Sequence, residues 1–414
     1  MREMKASGIE WCGNIPISWS SKHNKYVMSK KKVICPKYHC EKILSLTMKG
    51  VIERDLDAGG KMPSSFDGYQ FVYPNNLLMC LFDYDVTPRC IGLVEQQGLV
   101  SPAYSQFVLN DGYYAPYYYY YYLLIDNTKE LLHLAKNLRH SFTEEQLGNI
   151  NVPVPPFEEQ RKIVDFLDKK CAEIDALTAD IQTQIETLEE YKKSVITEAV
   201  TKGLDPNVEM KDSGVEWIGK IPANWTVIKI KYLSNEVNQK RLMNTESMYS
   251  YLGLENLKSY SDEIIKTETD YDEGIQKFCH KGNVLFSKLR PYLAKVMICP
   301  YDTFATSEFL ELSPSECVCD ANYLKYSMLN SSFINEVNLS TYGAKMPRAD
   351  ASYIKNIKIC ITNLDEQHRI ADFLDQKCSE IDQTISEKQL QLETLAEYKK
   401  SLIYEYVTGK KEVA

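Results

Sequence analysis

Three short stretches carry residue types whose spacing could do catalysis. VPVPPF, from Val152 to Phe157, approaches the Asn/Asp-Pro-Pro-Tyr/Phe signature of enzymes that methylate the amino groups of DNA bases. Val154 stands where that chemistry needs a side-chain oxygen, and no glycine-rich loop follows a strand to hold S-adenosylmethionine, so the match lacks its context. Glu209 and Lys211, with Asp205 nearby, have the spacing of a metal-dependent nuclease, but they lie in a Gly-Leu-Asp-Pro-Asn linker where carboxylates are ordinarily solvated turn residues. Cys317 and Cys319 have no second pair or nearby histidine to complete a zinc site. A G-x-x-x-x-G-K-[ST] phosphate loop is absent too. No catalytic and no metal-binding residue is assigned.

Side chains suited to nucleic acid are easier to find. SKLRPYLAK places Ser287, Lys288, Arg290, Tyr292 and Lys295 close together, and GAKMPR adds Lys345 and Arg348. Arginine and lysine bond phosphates or guanine edges, and tyrosine packs on a sugar or base. Earlier in the chain Arg89, Tyr104, Gln106 and Arg139 fall at roughly corresponding places, after the run Lys30, Lys31 and Lys32. The tyrosines from Tyr117 to Tyr122 read mostly as core rather than as a stacking surface.

The elements that position these residues are written twice. SGIEWCGNIPISW (Ser7 to Trp19) returns as SGVEWIGKIPANW (Ser213 to Trp225), and EQRKIVDFLDKKCAEID (Glu159 to Asp175) as EQHRIADFLDQKCSEID (Glu366 to Asp382). The closing ETLEEYKKSVITEAVT from Glu186 is matched by ETLAEYKKSLIYEYVT from Glu393. Such a period, about half the chain, precedes any other statement about fold.

The helix-like copies carry seams. Leu167, Ile174, Ile181, Leu188 and Val195 recur every seventh residue, with Leu177, Ile185 and Tyr191 widening the stripe. The second copy has Leu374, Ile381, Leu395 and Leu402, interrupted by Lys388 and continued by Ile385 and Leu392. Neither contains an internal proline or glycine; Pro153, Pro155 and Pro156 precede the first, and Gly203 and Pro206 close it. Two such rods most simply pair with each other. Between them, residues 27–150 and 233–360 mix short apolar strands with turn signals and read as α+β. The expected pieces are 1–155, a helix over 156–203, a linker over 204–212, a second insert-bearing piece over 213–363, and a helix over 364–409.

The net charge of −9 is unevenly spread. Residues 1–150 and 213–363 are near neutral, at +1 and 0, while 151–212 and 364–414 carry −6 and −4. The acid therefore lies on the helices, which suits a solvated or protein-facing surface rather than contact with phosphates. Hydrophobic content is 44%, and no apolar run approaches the roughly 20 residues of a membrane span. The 12 cysteines, scattered and without a secretory signal, read as reduced thiols in the cytoplasm.

The doubled SG-[IV]-EW-x-G-x-IP-x-x-W entry, the inserts ending in PVPPFEEQRKI and NLDEQHRI, and the two KK/QK-C-x-E-I-D helices together resemble the specificity subunit of type I restriction-modification enzymes. LFSKLRPYLAKV, SEFLEL, GAKMPRADASYIKNI, SPAYSQF and LRHSFTEEQLGNINVPVPP add to the likeness, which covers essentially the whole chain. It implies an α+β fold with a pseudo-twofold internal repeat, in which two similar target recognition domains are separated by two long antiparallel helices. It also implies double-stranded DNA, two methyltransferase subunits and motor-nuclease subunits as partners. S-adenosylmethionine, ATP and Mg would belong to those partners, and this chain would supply the address without catalysis. DYDVTPR replaces LRPY in the first insert, and NLDEQ replaces PPFEEQ before the second helix. A coiled-coil adaptor whose inserts bind proteins is the competing expectation.

Overall fold

The structure, a computed structural model, describes residues 2–57, 63–135, 140–243, 249–265, 273–343 and 345–413. It divides into two units: Met1–Ile181 with Leu390–Ala414, and Gln182–Gln389. Each unit therefore owns one half of each long helix, a division the linear reading into insert, helix, linker, insert and helix does not express.

Each unit repeats the same small architecture. In the first, Met4–Ile9 pairs with Gly13–Pro16, and Ser20–His23 with Asn151–Val154. A four-stranded antiparallel sheet follows in the order Met28–Lys31, Ser105–Leu109, Leu77–Met79, Ile91–Leu93. In the second, Met210–Asp212 pairs with Lys220–Pro222, and Thr226–Lys229 with Lys358–Ile361. Its corresponding sheet runs Ser234–Val237, Phe309–Pro314, Val284–Ser287, Val296–Ile298. The inserts diverge beyond this. The second adds a four-stranded sheet of Gln239–Met243, Gly274–Cys279, Thr303–Ala305 and Tyr251–Leu252, where the first has two separate two-stranded ribbons.

The long helices are Phe157–Lys202 and Leu364–Val407. Pro155 and Pro156 stop the chain ahead of the first. Ahead of the second, where prolines are missing, the Asn363 side chain accepts from the Glu366 amide at 3.0 Å and so caps the helix. Both helices leave through a left-handed glycine, Gly203 at φ 76° and Gly409 at φ 70°. At Gly409 a Cβ would come within 2.5 Å of Pro16, so packing and backbone both require glycine there.

Within each unit the helix halves run antiparallel. In the first, Phe166 meets Tyr406 with ring centroids 4.4 Å apart, and Lys399 reaches Asp175 at 2.6 Å. In the second, Lys388 bonds Gln184, and Lys192 reaches Asp382 at 2.7 Å. Leu167, Ile174, Ile181, Leu374, Ile381 and Leu402 are buried, whereas Leu188, Val195 and Leu395 are half-buried. The expected widening is only partly present: Ile185 is buried, but Leu177 and Tyr191 are 47% and 51% exposed. Two paired helices close a narrow seam, and residues on its shoulder stay in water.

The tyrosine run forms one face and more of the helix Ala115–Thr128, and Tyr117, Tyr118 and Tyr121 are fully buried. Three of the run's hydroxyls are satisfied from surrounding elements. Tyr117 donates to the Val407 carbonyl at 2.7 Å, Tyr118 to Pro153 at 3.3 Å, and Tyr120 to Asp168 at 2.7 Å. The run ties the insert to the helix pair, as a core with polar ends does.

Candidate nucleic-acid interface

The second unit gathers most of the cationic candidates at one place. The strand Val284–Ser287 runs into a loop whose backbone is docked on the segment around Arg348. Lys288 N donates to Glu308 O at 2.9 Å, Ala349 N to Lys288 O at 2.9 Å, and Arg290 N to Pro347 O at 2.8 Å. SKLRPY and GAKMPR, far apart in sequence, thus become one surface. Arg290 adopts a left-handed backbone (φ 49°), which disfavours a side chain carrying Cβ and persists because the surrounding bonds hold it. Its side chain is exposed, as are Tyr292 and Lys345, and Lys288 is half-buried. Arg348 is exposed too, but its guanidinium is forked onto both oxygens of Glu308. Ser287 is buried, its hydroxyl donating to Leu289 O at 2.8 Å, so it shapes the loop rather than offering a contact.

The first unit makes the same docking with different side chains. Phe142 N donates to Leu81 O at 2.8 Å and Tyr84 N to His140 O at 3.2 Å. The corner residue is Asp83, at φ 48°. Beside it His140 contacts Asp85 at 2.8 Å, and that hydrogen bond holds the Asp85 carboxyl below the usual range.

The candidates named from sequence in this unit land elsewhere. Arg89 lies 3.3 Å from Asn127 and 3.7 Å from the buried carboxylate of Asp126, with its side chain 15% exposed, so it braces the insert. Gln106 is fully buried, because Ser105–Leu109 is a central strand covered on both faces, and this removes it from direct base contact. Tyr104 is half-buried against the cores, and burial raises its phenol pKa. Arg139 lies outside the described residues.

Two features escaped the sequence reading. One is Asp83, hidden inside DYDVTPR because no motif marks a left-handed corner. The other is an exposed Lys-Tyr pair present in both units: Lys25 lies 5.5 Å from the Tyr26 ring centroid and Lys231 5.3 Å from that of Tyr232. The repeat offset of 206 carries one pair onto the other, a signal legible in the sequence.

Bonds within the frame, and bonds from frame to insert, are also duplicated. Trp19 Nε1 donates to Glu159 at 2.9 Å and Trp225 Nε1 to Glu366 at 3.1 Å. Gln160 and Gln367, both fully buried, accept from Tyr114 N at 2.8 Å and Asp320 N at 2.9 Å. They also donate to Pro155 O at 2.9 Å and Thr362 O at 2.7 Å. Tyr120–Asp168 at 2.7 Å is repeated as Tyr326–Asp375 at 2.6 Å. Among the described residues no group of three or more His, Cys, Asp or Glu is placed to hold a metal ion. No described helix is long and apolar enough to cross a membrane.

A frame that repeats its contacts while its loops change sign defines a duplicated scaffold carrying two divergent surfaces. Residues 104–187 and 222–394 match the family model described as Type I restriction modification DNA specificity domain, and the chain belongs to that family. It is 27% identical over 276 residues to the type I restriction enzyme MjaVIII specificity subunit of Methanocaldococcus jannaschii, a match covering 63% of this chain and 62% of that one. Against the EcoDI specificity subunit of Escherichia coli it is 21% identical over 248 residues, covering 56% and 55%. Both matches span less than two thirds of the relative's length.

Solved structures share the fold. A chain from work on complex assembly and conformational transition of the type I R-M system superposes with a TM-score of 0.72 at 14% identity, covering 96% of this chain and 99% of that one. The HsdS subunit from Thermoanaerobacter tengcongensis gives a TM-score of 0.53 at 14% identity, covering 96% and 98%.

Proposed function

We propose that this chain is the non-catalytic, DNA-addressing subunit of a type I restriction-modification complex, each unit reading one half of a split double-stranded target. The observation that carries this reading is the duplicated frame: the same Trp–Glu bond closes each copy, and the same buried Gln and Tyr–Asp bonds hold two inserts whose exposed loops differ in charge. One frame repeated suits one kind of partner bound twice, and divergent loops suit two different half-sites. Methyltransferase subunits dock on the acidic helices, bringing S-adenosylmethionine, and motor-nuclease subunits bring ATP and Mg chemistry. Lys25 and Lys231 lie in stretches free of carboxylates from Trp11 to Cys40 and from Trp217 to Asn235, and they supply positive charge for phosphates. The complex acts in the cytoplasm, where its target DNA lies.

The test is mapping of methylated adenines across the genome in cells carrying the methyltransferase partner, with and without this chain. A split motif that disappears with the chain is the expected result. Methylation independent of the chain, or an assembled complex that binds every duplex equally, would overturn the reading.

A further inference from the structure

Asp83 and Arg290 occupy one corner of the fold, once in each unit. They lie 207 positions apart, the offset that relates the two long helices. Both are non-glycine residues in the left-handed region, at φ 48° and 49°. Both sit just beyond a strand of the four-stranded sheet, in loops docked through equivalent carbonyls: His140 and Leu81 in one unit, Pro347 and Lys288 in the other. The amide that reaches His140 belongs to Tyr84, one residue past the corner.

One neighbouring charge is paired internally in each loop, while Lys288 and Lys345, unpaired among the described residues, add positive charge near the second corner. Asp85 is held by His140 at 2.8 Å, and Arg348 by Glu308. Asp83 and Arg290 are left without a side-chain hydrogen bond or ion pair among the described residues. Each unit thus places a left-handed residue at this equivalent corner, pairs one charge near it, and leaves the corner side chain unpaired, exposed at Arg290 and half-buried at Asp83. The two corner groups have opposite hydrogen-bonding character: the carboxylate only accepts, and the guanidinium only donates.

We propose that Asp83 and Arg290 are specificity-determining residues, each reading a base edge in its own half-site. The inference rests on the DNA-recognition reading above. Arg290 donates to the O6 and N7 acceptors of a guanine in the major groove, while Asp83 accepts from the exocyclic amino group of a base. Cytosine N4 and adenine N6 share that chemistry, and the base substitutions below separate them. A preset corner suits the task, because a side chain held in place reads a base edge without first paying to order its backbone.

The experiment measures binding of the assembled complex to its mapped split target, to every single-base variant of both half-sites, and to a scrambled duplex. Asp83→Ala is expected to relax discrimination at one position of one half-site, and Arg290→Ala at one guanine of the other. Each loss should be roughly tenfold to a hundredfold against the wrong base. The unaffected half-site is an internal control for folding, and Arg290→Lys, which keeps the charge but loses the fork, should not restore discrimination.

Equal weakening on all duplexes by Arg290→Ala, with recovery by Arg290→Lys, would make Arg290 a phosphate contact and overturn the proposal. Unchanged selectivity in both variants would overturn it as well. In either case a parental complex that still selects its split target leaves the DNA-recognition reading standing; a parental complex without selectivity ends both.

Discussion

Lys192 places its ammonium 2.8 and 2.7 Å from the two carboxylate oxygens of Asp382, while its side chain is only 6% exposed. The repeat supplies the counterpart, Lys399 on Asp175 at 2.6 and 2.8 Å, with the lysine 29% and the aspartate 63% exposed. The residues and bonds are the same, and burial separates them. Removing Asp382 strands a desolvated ammonium that keeps only the Tyr260 carbonyl at 2.5 Å. Asp382→Ala should therefore destabilise by about 2–3 kcal/mol, and Asp175→Ala by less than about 1 kcal/mol. Urea unfolding of the two variants decides it, and equal losses would show that burial is not what separates the pairs.

Gln367 is fully buried, accepting the Asp320 amide and donating to the carbonyls of Thr362 and Val318. Gln367→Ala orphans an amide and two carbonyls, so a loss of about 2–3 kcal/mol is expected. Gln160→Ala removes one amide and one carbonyl partner in the first unit and should cost less. Thermal melting that reverses this order would contradict the bond inventory.

Of the twelve thiols, Cys40 and Cys317 are exposed and the remainder are buried. Brief treatment of the native protein with iodoacetamide should modify those two alone, with the others reacting after denaturation. Peptide mass mapping reads the result, and early modification of Cys171 or Cys378 would show the helix contacts opening.

Burial pushes the thiols of Cys12, Cys90, Cys299, Cys319 and Cys360 up to about 12. Their folded values lie above the unfolded ones, so the unfolded chain releases these protons first as pH rises. Stability tied to the neutral thiols is complete below the ordinary thiol range and declines from there toward pH 12. The urea midpoint should fall between about pH 8, just below the ordinary thiol value, and about pH 11, and a flat midpoint would refute the linkage.

The long helices and the double layout were legible because they rest on periodicity and identity, which survive without spatial knowledge. Leu167, Ile174, Leu374 and Ile381 are buried as the sevenfold spacing required, and the tyrosine run is core. The cationic surface was legible in the second insert, where lysines and arginines cluster along the chain, and poorly so in the first. Gln106 was misplaced because a polar residue in a strand says nothing about how many faces are covered. Asp83 was missed because its meaning comes from a backbone angle and from Asp85 being occupied by His140. The Asn363 cap shows a substitution of means: an amide side chain does at one helix start what prolines do at the other.

The twin Trp–Glu, Gln and Tyr–Asp attachments bear on inheritance as well as on stability. Two sockets with the same fittings accept each other's contents, so an insert moved by recombination into the other position, or in from a related gene, meets the bonds it needs. On the proposed DNA-addressing function, new addresses arise by exchange of whole cassettes, with the surrounding frame spared from mutation. A lineage under pressure to change what it recognises would have reason to keep Trp19 and Trp225, Gln160 and Gln367 alike long after the loops beside them had ceased to resemble one another.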